Sequence, residues 1–261
     1  MQFTGITGKV AVVTGACGGM GQSIVEGLSD NGAHVVALDN NTEKLFAFVS
    51  ELKQNGHHIT AFTLDIRNYE KVAETIDMIE REVGPIEILI HAAGVLFLDS
   101  VVSLPKSNWD TTFEVNTSGV FHIVQAITRR MIPRQAGAIV VVSSNAARMP
   151  RMSMAAYAAS KAATTMFVKC LGLELANYNI RCNIVSPGST NTEMLKQLWK
   201  NDTGEQVSIN GTAEEYRLGI PLRKIGEPVD VTNTILFLIS DMAGHITMED
   251  ICVDGGATLG L

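Results

Sequence analysis

A chain of 261 residues, 46% hydrophobic and 18% charged, is long enough for one large α/β domain with a substantial core and short for two. Its formal net charge of -7, with only 20 Lys+Arg, leaves little for the basic face that nucleic acid requires, and its apolar content excludes disorder. No stretch reaches the ~18 apolar residues that span a bilayer, and the low charged fraction suggests apolar surface covered in an oligomer.

Taken in chain order, short β-branched runs read as buried strands at Val10–Val13, His34–Leu38, Ile59–Leu64, Ile86–Ile90, Ala138–Val142 and Ile180–Val185. Between them lie amphipathic helical segments such as Gly21–Asn31, Glu43–Asn55 and Tyr69–Val83, and Ser153–Tyr178 reads as one long helix. This alternation predicts an α/β fold with a doubly wound parallel sheet covered by helices on both faces. From Gly188 to about Pro221 the sequence turns polar and lacks a strand pattern, although Thr192–Lys200 has helical character. Connections this long are usually lids, so a substrate lid is expected at about 188–221. A helix at Val229–Ser240 and a seventh strand at Asp250–Val253 return to the sheet, and residues 1–261 read as a single domain.

Cys17, Cys170, Cys182 and Cys252 are scattered without metal-ligand spacing or a disulfide framework, so no metal is expected. The N-terminal Met1-Gln2-Phe3-Thr4-Gly5 has neither a basic nor an apolar leader region. The expectation is a reduced, soluble, cytoplasmic protein without nucleic-acid or membrane partners.

The first chemical signal follows the first strand. Thr14-Gly15-Ala16-Cys17-Gly18-Gly19-Met20-Gly21 leads directly into a helix. Glycines there permit a tight turn and let backbone approach a pyrophosphate, which then sits on the free N–H groups of a helix N-terminus. Asp39 ends the second strand, 18 residues past Gly21. Its carboxylate suits a ribose diol and repels a 2′-phosphate, and no Arg or Lys stands between Gly15 and Gly21 or at Asn40 and Asn41. NAD is therefore expected over NADP.

The turn Thr14-Gly-x-x-x-Gly-x-Gly21 resembles that of the short-chain dehydrogenase/reductase family, and the resemblance continues along the chain. His91-Ala92-Ala93-Gly94 is similar to the family's Asn-Asn-Ala-Gly, with His91 as a departure that bears on local sheet hydrogen bonding. The resemblance implies a Rossmann-type sheet of seven strands and a cofactor held by Gly15, Gly19, Met20, Gly21, Asp39, Asp65, Ala92 and Gly94. It places Asp65 against adenine and Pro187, Gly188, Thr190 and Thr192 in the nicotinamide-side loop.

Of four tyrosines, only Tyr157 has Lys at i+4, namely Lys161, which places both side chains on one helix face. Ser144 ends the fifth strand 13 residues earlier, and Asn116 lies in the helix following Trp109. A phenol with a pKa near 10 is a poor base at neutral pH, and a nearby ammonium together with oxidised nicotinamide favours the phenolate. The family resemblance implies Tyr157 as the general base and Lys161 as its electrostatic support and holder of the nicotinamide ribose. It further implies Ser144 orienting the substrate oxygen and Asn116 seating a relay water.

The segment Ser143–Met154 carries two arginines beside the expected hydride site. Either arginine suits a substrate carboxylate; Arg151, behind Pro150, is favoured over Arg148, which can reach solvent, and an arginine that faces solvent or bonds loop carbonyls is the competing reading. Ser144, Met154 and Tyr157 complete the expected substrate contacts. Pro150-Arg-Met-Ser-Met-Ala-Ala-Tyr157, Ile180-Arg-Cys-Asn-Ile-Val-Ser-Pro-Gly-Ser-Thr190, Gly219-Ile-Pro-Leu222 and Val253-Asp-Gly-Gly-Ala-Thr-Leu-Gly260 resemble a narrower group within the family. That group serves catechol-siderophore biosynthesis, and its substrate is a carboxylated cyclohexadiene diol. Phe97 stands where this group is expected to carry Arg. Another secondary alcohol or a 3-oxoacyl substrate, or a catalytically silent NAD-binding role, remains as an alternative. Family members pair their long helices into homotetramers, and Val120, Val124 and Ile127, with Met166, Leu171 and Leu175, offer apolar faces that serve either pairing or the core.

Overall fold

The computed structural model describes residues 3–199 and 201–261; Met1, Gln2 and Lys200 lie outside the described residues. Seven strands form one parallel sheet: β1 (Val10–Thr14), β2 (His34–Asp39), β3 (Ile59–Thr63), β4 (Ile86–His91), β5 (Gly137–Val142), β6 (Ile180–Pro187) and β9 (Asp250–Val253). Their spatial order is β3-β2-β1-β4-β5-β6-β9. The order reverses between β1 and β4, and a crevice opens there at the carboxyl ends of the strands. Thr14 lies opposite Leu38 on one side and His91 on the other, so three strand ends meet at that level.

Side-chain alternation explains why both faces are covered. Ala11, Val13, Val35, Ala37, Ile88 and Ile90 point to one core with helices α1 (Gly19–Asp30), α2 (Thr42–Gln54) and α9 (Pro228–Ile239). Val10, Val12, Val36, Leu38 and Leu89 point to the other, with α3 (Tyr69–Glu82), α5 (Gly119–Arg134) and α6 (Ala155–Leu175). Residues of period 2 buried on both sides give the continuous apolar runs that mark the strands in the sequence.

Several expected boundaries move. The long helix starts at Ala155 rather than Ser153, because Ser153 adopts φ 60°, and it ends at Leu175 with a 3-10 turn over Ala176–Tyr178. Asn116 falls in a π-helical turn, Glu114–Ser118, that joins α4 (Lys106–Phe113) to α5. The expected helix Thr192–Lys200 forms only as α7 (Glu193–Lys196), capped by the Thr192 side chain, and Lys200 lies outside the described residues. The segment read as strandless contains α8 (Gly204–Asn210) and a small antiparallel pair, β7 (Gly211–Thr212) with β8 (Arg217–Leu218). Gly211 at φ +79° makes that hairpin possible, a conformation that two-residue strands do not advertise by period.

Val120, Val124, Ile127 and Leu175 are buried under the sheet and therefore belong to the core of the chain itself. The large apolar side chains that α5 and α6 expose are Phe121, Met166 and Leu173.

Candidate active site

All of the expected cofactor and substrate residues line one cavity of about 740 Å³ at the carboxyl ends of the strands. Asn116 is the exception among the expected catalytic residues: it stands behind the wall. Its Oδ1 accepts from the Val95 N–H at 2.8 Å, and its Nδ2 donates to the Val95 carbonyl at 2.9 Å and to Ser160 Oγ at 3.1 Å. The side chain thus clamps the loop after β4 to the helix that carries Tyr157.

The floor of the cavity suits a dinucleotide. A Cβ on Gly15 would stand 2.6 Å from the Ala93 backbone, and one on Gly21 would stand 2.0 Å from the Gly15 carbonyl oxygen. The turn can therefore be built only with glycine at these two places. The helix that follows has no side-chain cap at Gly18, whereas α2 and α3 are capped by Asn41 and Asn68. Its first N–H groups remain available to an anion. Asp39 ends β2 with Oδ2 accepting from the Cys17 N–H and Oδ1 from the Asn41 N–H, both at 2.9 Å. That carboxylate lies against the glycine turn after β1, where the Cys17 thiol is pushed up to about 12 by burial and by Asp39. Arg67 grips both oxygens of Asp65 and holds its carboxyl below the usual range.

Tyr157 and Lys161 share the face of α6 that looks into the cavity, and both are buried. Lys161 Nζ donates to the Val142 carbonyl at 2.9 Å and lies 5.8 Å from the Tyr157 ring centre. Gly94 is packed so closely that a Cβ there would meet Asn116 Oδ1 at 3.3 Å and Lys161 Nζ at 3.4 Å. Ser144 follows β5 in extended backbone, accepts from the Ala146 N–H at 3.1 Å and hydrogen-bonds the Tyr157 phenol.

The electrostatics differ from the simple expectation. Burial pushes the Tyr157 phenol above its ordinary value, and the Ser144 hydrogen bond opposes that rise. The Lys161 ammonium, itself pushed down to about 8 by burial, does not reverse it. The chain alone thus favours the neutral phenol, because loss of water around the phenolate outweighs what Ser144 supplies.

His91 fills the sheet beneath this site. Its Nδ1 lies 2.9 Å from Thr14 Oγ1, while buried Nε2 has no partner among the described residues. Burial, followed by the Lys161 charge, lowers its pKa to about 3, so the ring is neutral. Met154 and Arg151 line the cavity, but Arg148 points away: it pairs with Asp250 at 2.6 Å and donates to the Leu261 carbonyl at 2.8 Å.

Further lining residues escape the motif reading. Glu215, Arg217 and Leu218 come from the polar segment and, with Ser189 and Ile220, close one side of the cavity. Their signal in the sequence is only their place between Gly188 and the Gly219-Ile-Pro-Leu222 stretch.

Comparison with known proteins agrees with this geometry. The sequence profile described as short chain dehydrogenase matches residues 9–203. A 2,3-dihydro-2,3-dihydroxybenzoate dehydrogenase of Bacillus subtilis is 51% identical over 261 residues, covering 100% of both chains. A vibriobactin-specific 2,3-dihydro-2,3-dihydroxybenzoate dehydrogenase of Vibrio cholerae is 44% identical, covering 97% of each chain. Among solved structures, a gluconate 5-dehydrogenase from Burkholderia cenocepacia in complex with NADP and tartrate superposes with a TM-score of 0.90 at 28% identity, covering 98% of this chain and 97% of the other. The chain belongs to the short-chain dehydrogenase family, whose members are oxidoreductases that use nicotinamide cofactors.

Proposed function

We propose that the protein oxidises 2,3-dihydro-2,3-dihydroxybenzoate to 2,3-dihydroxybenzoate with NAD+ in siderophore biosynthesis. The observation that carries this reading is full-length similarity to relatives of that name together with a cavity that holds Ser144, Tyr157, Lys161 and an Arg151 without an ion-pair partner among the described residues. NAD+ is favoured because Asp39 puts a carboxylate beside the phosphate-binding turn, where a 2′-phosphate would be repelled.

Bound NAD+ supplies the hydride acceptor and a positive charge beside the phenol. Ser144 orients the substrate hydroxyl, and Tyr157 removes its proton as the carbinol C–H bond yields its electron pair. The ring carbon becomes a ketone, and transfer of a neighbouring ring proton to that oxygen gives the aromatic catechol. The substrate loses one hydride and one proton, so NADH and H+ form with the product. Lys161, fixed by the Val142 carbonyl, holds the ribose side of the cofactor and supports the phenolate. Asn116 acts as a positioning residue, with its relay role confined to the backbone it holds around Val95.

Residues at about 188–221 form the substrate lid of a single domain, and the exposed apolar residues Phe121, Met166 and Leu173 support helix pairing in a homotetramer. A cytoplasmic setting fits an enzyme that draws on NAD+. Incubation with the diol and NAD+, with product identified by mass, tests the reading. Equimolar NADH and catechol are expected, and no turnover by protein that binds NAD+ contradicts it.

A further inference from the structure

Arg151 projects from the loop between β5 and α6 into the cavity that holds Tyr157, and its guanidinium forms no hydrogen bond or ion pair among the described residues. The carboxylate that acts on it most is Asp254, yet Asp254 is already occupied by Asn145 Nδ2, the N–H groups of Gly256 and Thr258, and Thr258 Oγ1. Facing the same cavity from the lid is Arg217 on β8.

Arg217 is held in place by backbone geometry. A Cβ on Gly211 would stand 2.3 Å from the Arg217 carbonyl oxygen, and one on Gly219 would stand 2.4 Å from the Ile209 carbonyl oxygen. The hairpin therefore closes tightly on both sides of the arginine. Its Nη2 donates to Ser189 Oγ at 2.8 Å, one residue beyond the nicotinamide-side Gly188, leaving further guanidinium N–H groups for a ligand. Glu215, two residues earlier, is the carboxylate that most offsets the burial of Arg217. Burial disfavours both guanidinium charges, and the charge on Arg217 adds to the burden on Arg151. Two partly buried cations facing one cavity repel each other, and an anion between them removes that cost.

We infer that Arg217 is a specificity-determining residue: together with Arg151 it forms a two-sided guanidinium clamp, half on the lid, for the carboxylate of the substrate. The inference rests on the reaction proposed above. It also explains how an enzyme of this kind works with Phe97 in place of an arginine, since the second cation comes from the lid.

The experiment compares wild type, Arg217→Ala and Arg217→Lys on the carboxylated diol and on its neutral carboxamide, at saturating NAD+. Arg217→Ala raises KM for the carboxylate about tenfold or more, as loss of a charge-assisted hydrogen bond implies, and leaves kcat/KM for the carboxamide and the Kd for NAD+ little changed. Arg217→Lys recovers part of the loss. Equal losses on both substrates, or a loss that appears in NAD+ binding instead, overturn the clamp.

Calorimetry of benzoate binding to the NADH-loaded protein separates this inference from the reaction. Wild type that binds benzoate through Arg217 but leaves the diol unoxidised contradicts the reaction and keeps the clamp. Wild type that oxidises the diol while Arg217→Ala binds benzoate unchanged contradicts the clamp.

Discussion

Arg148 and Asp250 form an ion pair of 2.6 Å across the end of the sheet, and the Asp250 side chain is almost fully buried. The same guanidinium donates to the Asp250 carbonyl at 2.7 Å and to the Leu261 carbonyl at 2.8 Å, so one side chain ties the loop after β5 to the last strand and the chain end. Of the two arginines in Arg148-Met-Pro-Arg151, the first is therefore structural and the second lines the cavity.

Arg148→Ala leaves a buried carboxylate with Ser186 Oγ as its remaining side-chain partner at 2.6 Å. Removal of one member of such a pair costs about 2–4 kcal/mol, discounted here because the arginine is partly exposed. The expected outcome is a Tm lower by several degrees, with KM for the diol at permissive temperature within about twofold of wild type. A tenfold KM change with unaltered Tm would reverse the assignment of the two arginines.

Tyr157 must lose its proton before it can take one. Burial raises the phenol and the Ser144 bond lowers it, so the oxidation rate is expected to climb with pH until the phenolate predominates. Ser144→Ala removes the lowering influence and moves the ascending limb of kcat to higher pH, besides reducing its plateau. A pH–rate series on both proteins checks this, and limbs that superpose would show that Ser144 does not act on the phenol.

His91 links the site to acid stability. Its folded value of about 3 lies well below the ordinary 6.5, so below pH 6.5 the unfolded chain binds a proton that the folded chain refuses. Stability supplied by the neutral ring is complete above pH 6.5 and falls as the pH drops towards 3, by about 1.4 kcal/mol per unit. His91→Asn abolishes this loss. Thermal melts at pH 7.5 and 5.5 are expected to show the variant gaining on wild type at the lower pH by about 1 kcal/mol, and a constant gap would contradict neutral burial of the ring.

The sheet and the glycine turn at its carboxyl edge were legible because period-2 apolar runs and the glycines at 15 and 21 each have one physical solution. Tyr157 and Lys161 were legible for a similar reason, since only one tyrosine carries a lysine on its own helix face. Arg217 was not, because a lone arginine in a polar stretch is indistinguishable from a surface cation until the hairpin at Gly211 turns it inward. The resemblance singles out Asn116, but helical periodicity does not show the π-turn that rotates it onto the Val95 backbone. Val120, Val124 and Ile127 show the remaining gap: an apolar helical stripe fits the core and a partner equally well, and only packing against the sheet assigns it to the core. Spacing places a charge near Tyr157 but says nothing about the lost water that raises its phenol in the chain alone.

The most direct measurement is initial-rate NADH formation from the carboxylated diol, with NAD+ and NADP+ compared for wild type and Tyr157→Phe. Turnover with NAD+ well above that with NADP+, and a loss of at least a hundredfold in Tyr157→Phe, is the predicted result, since general-base assistance contributes about that much. Equal use of NADP+ would contradict the role given to Asp39. Undiminished turnover by Tyr157→Phe would contradict the phenol as the base, and with it the mechanism built on this cavity.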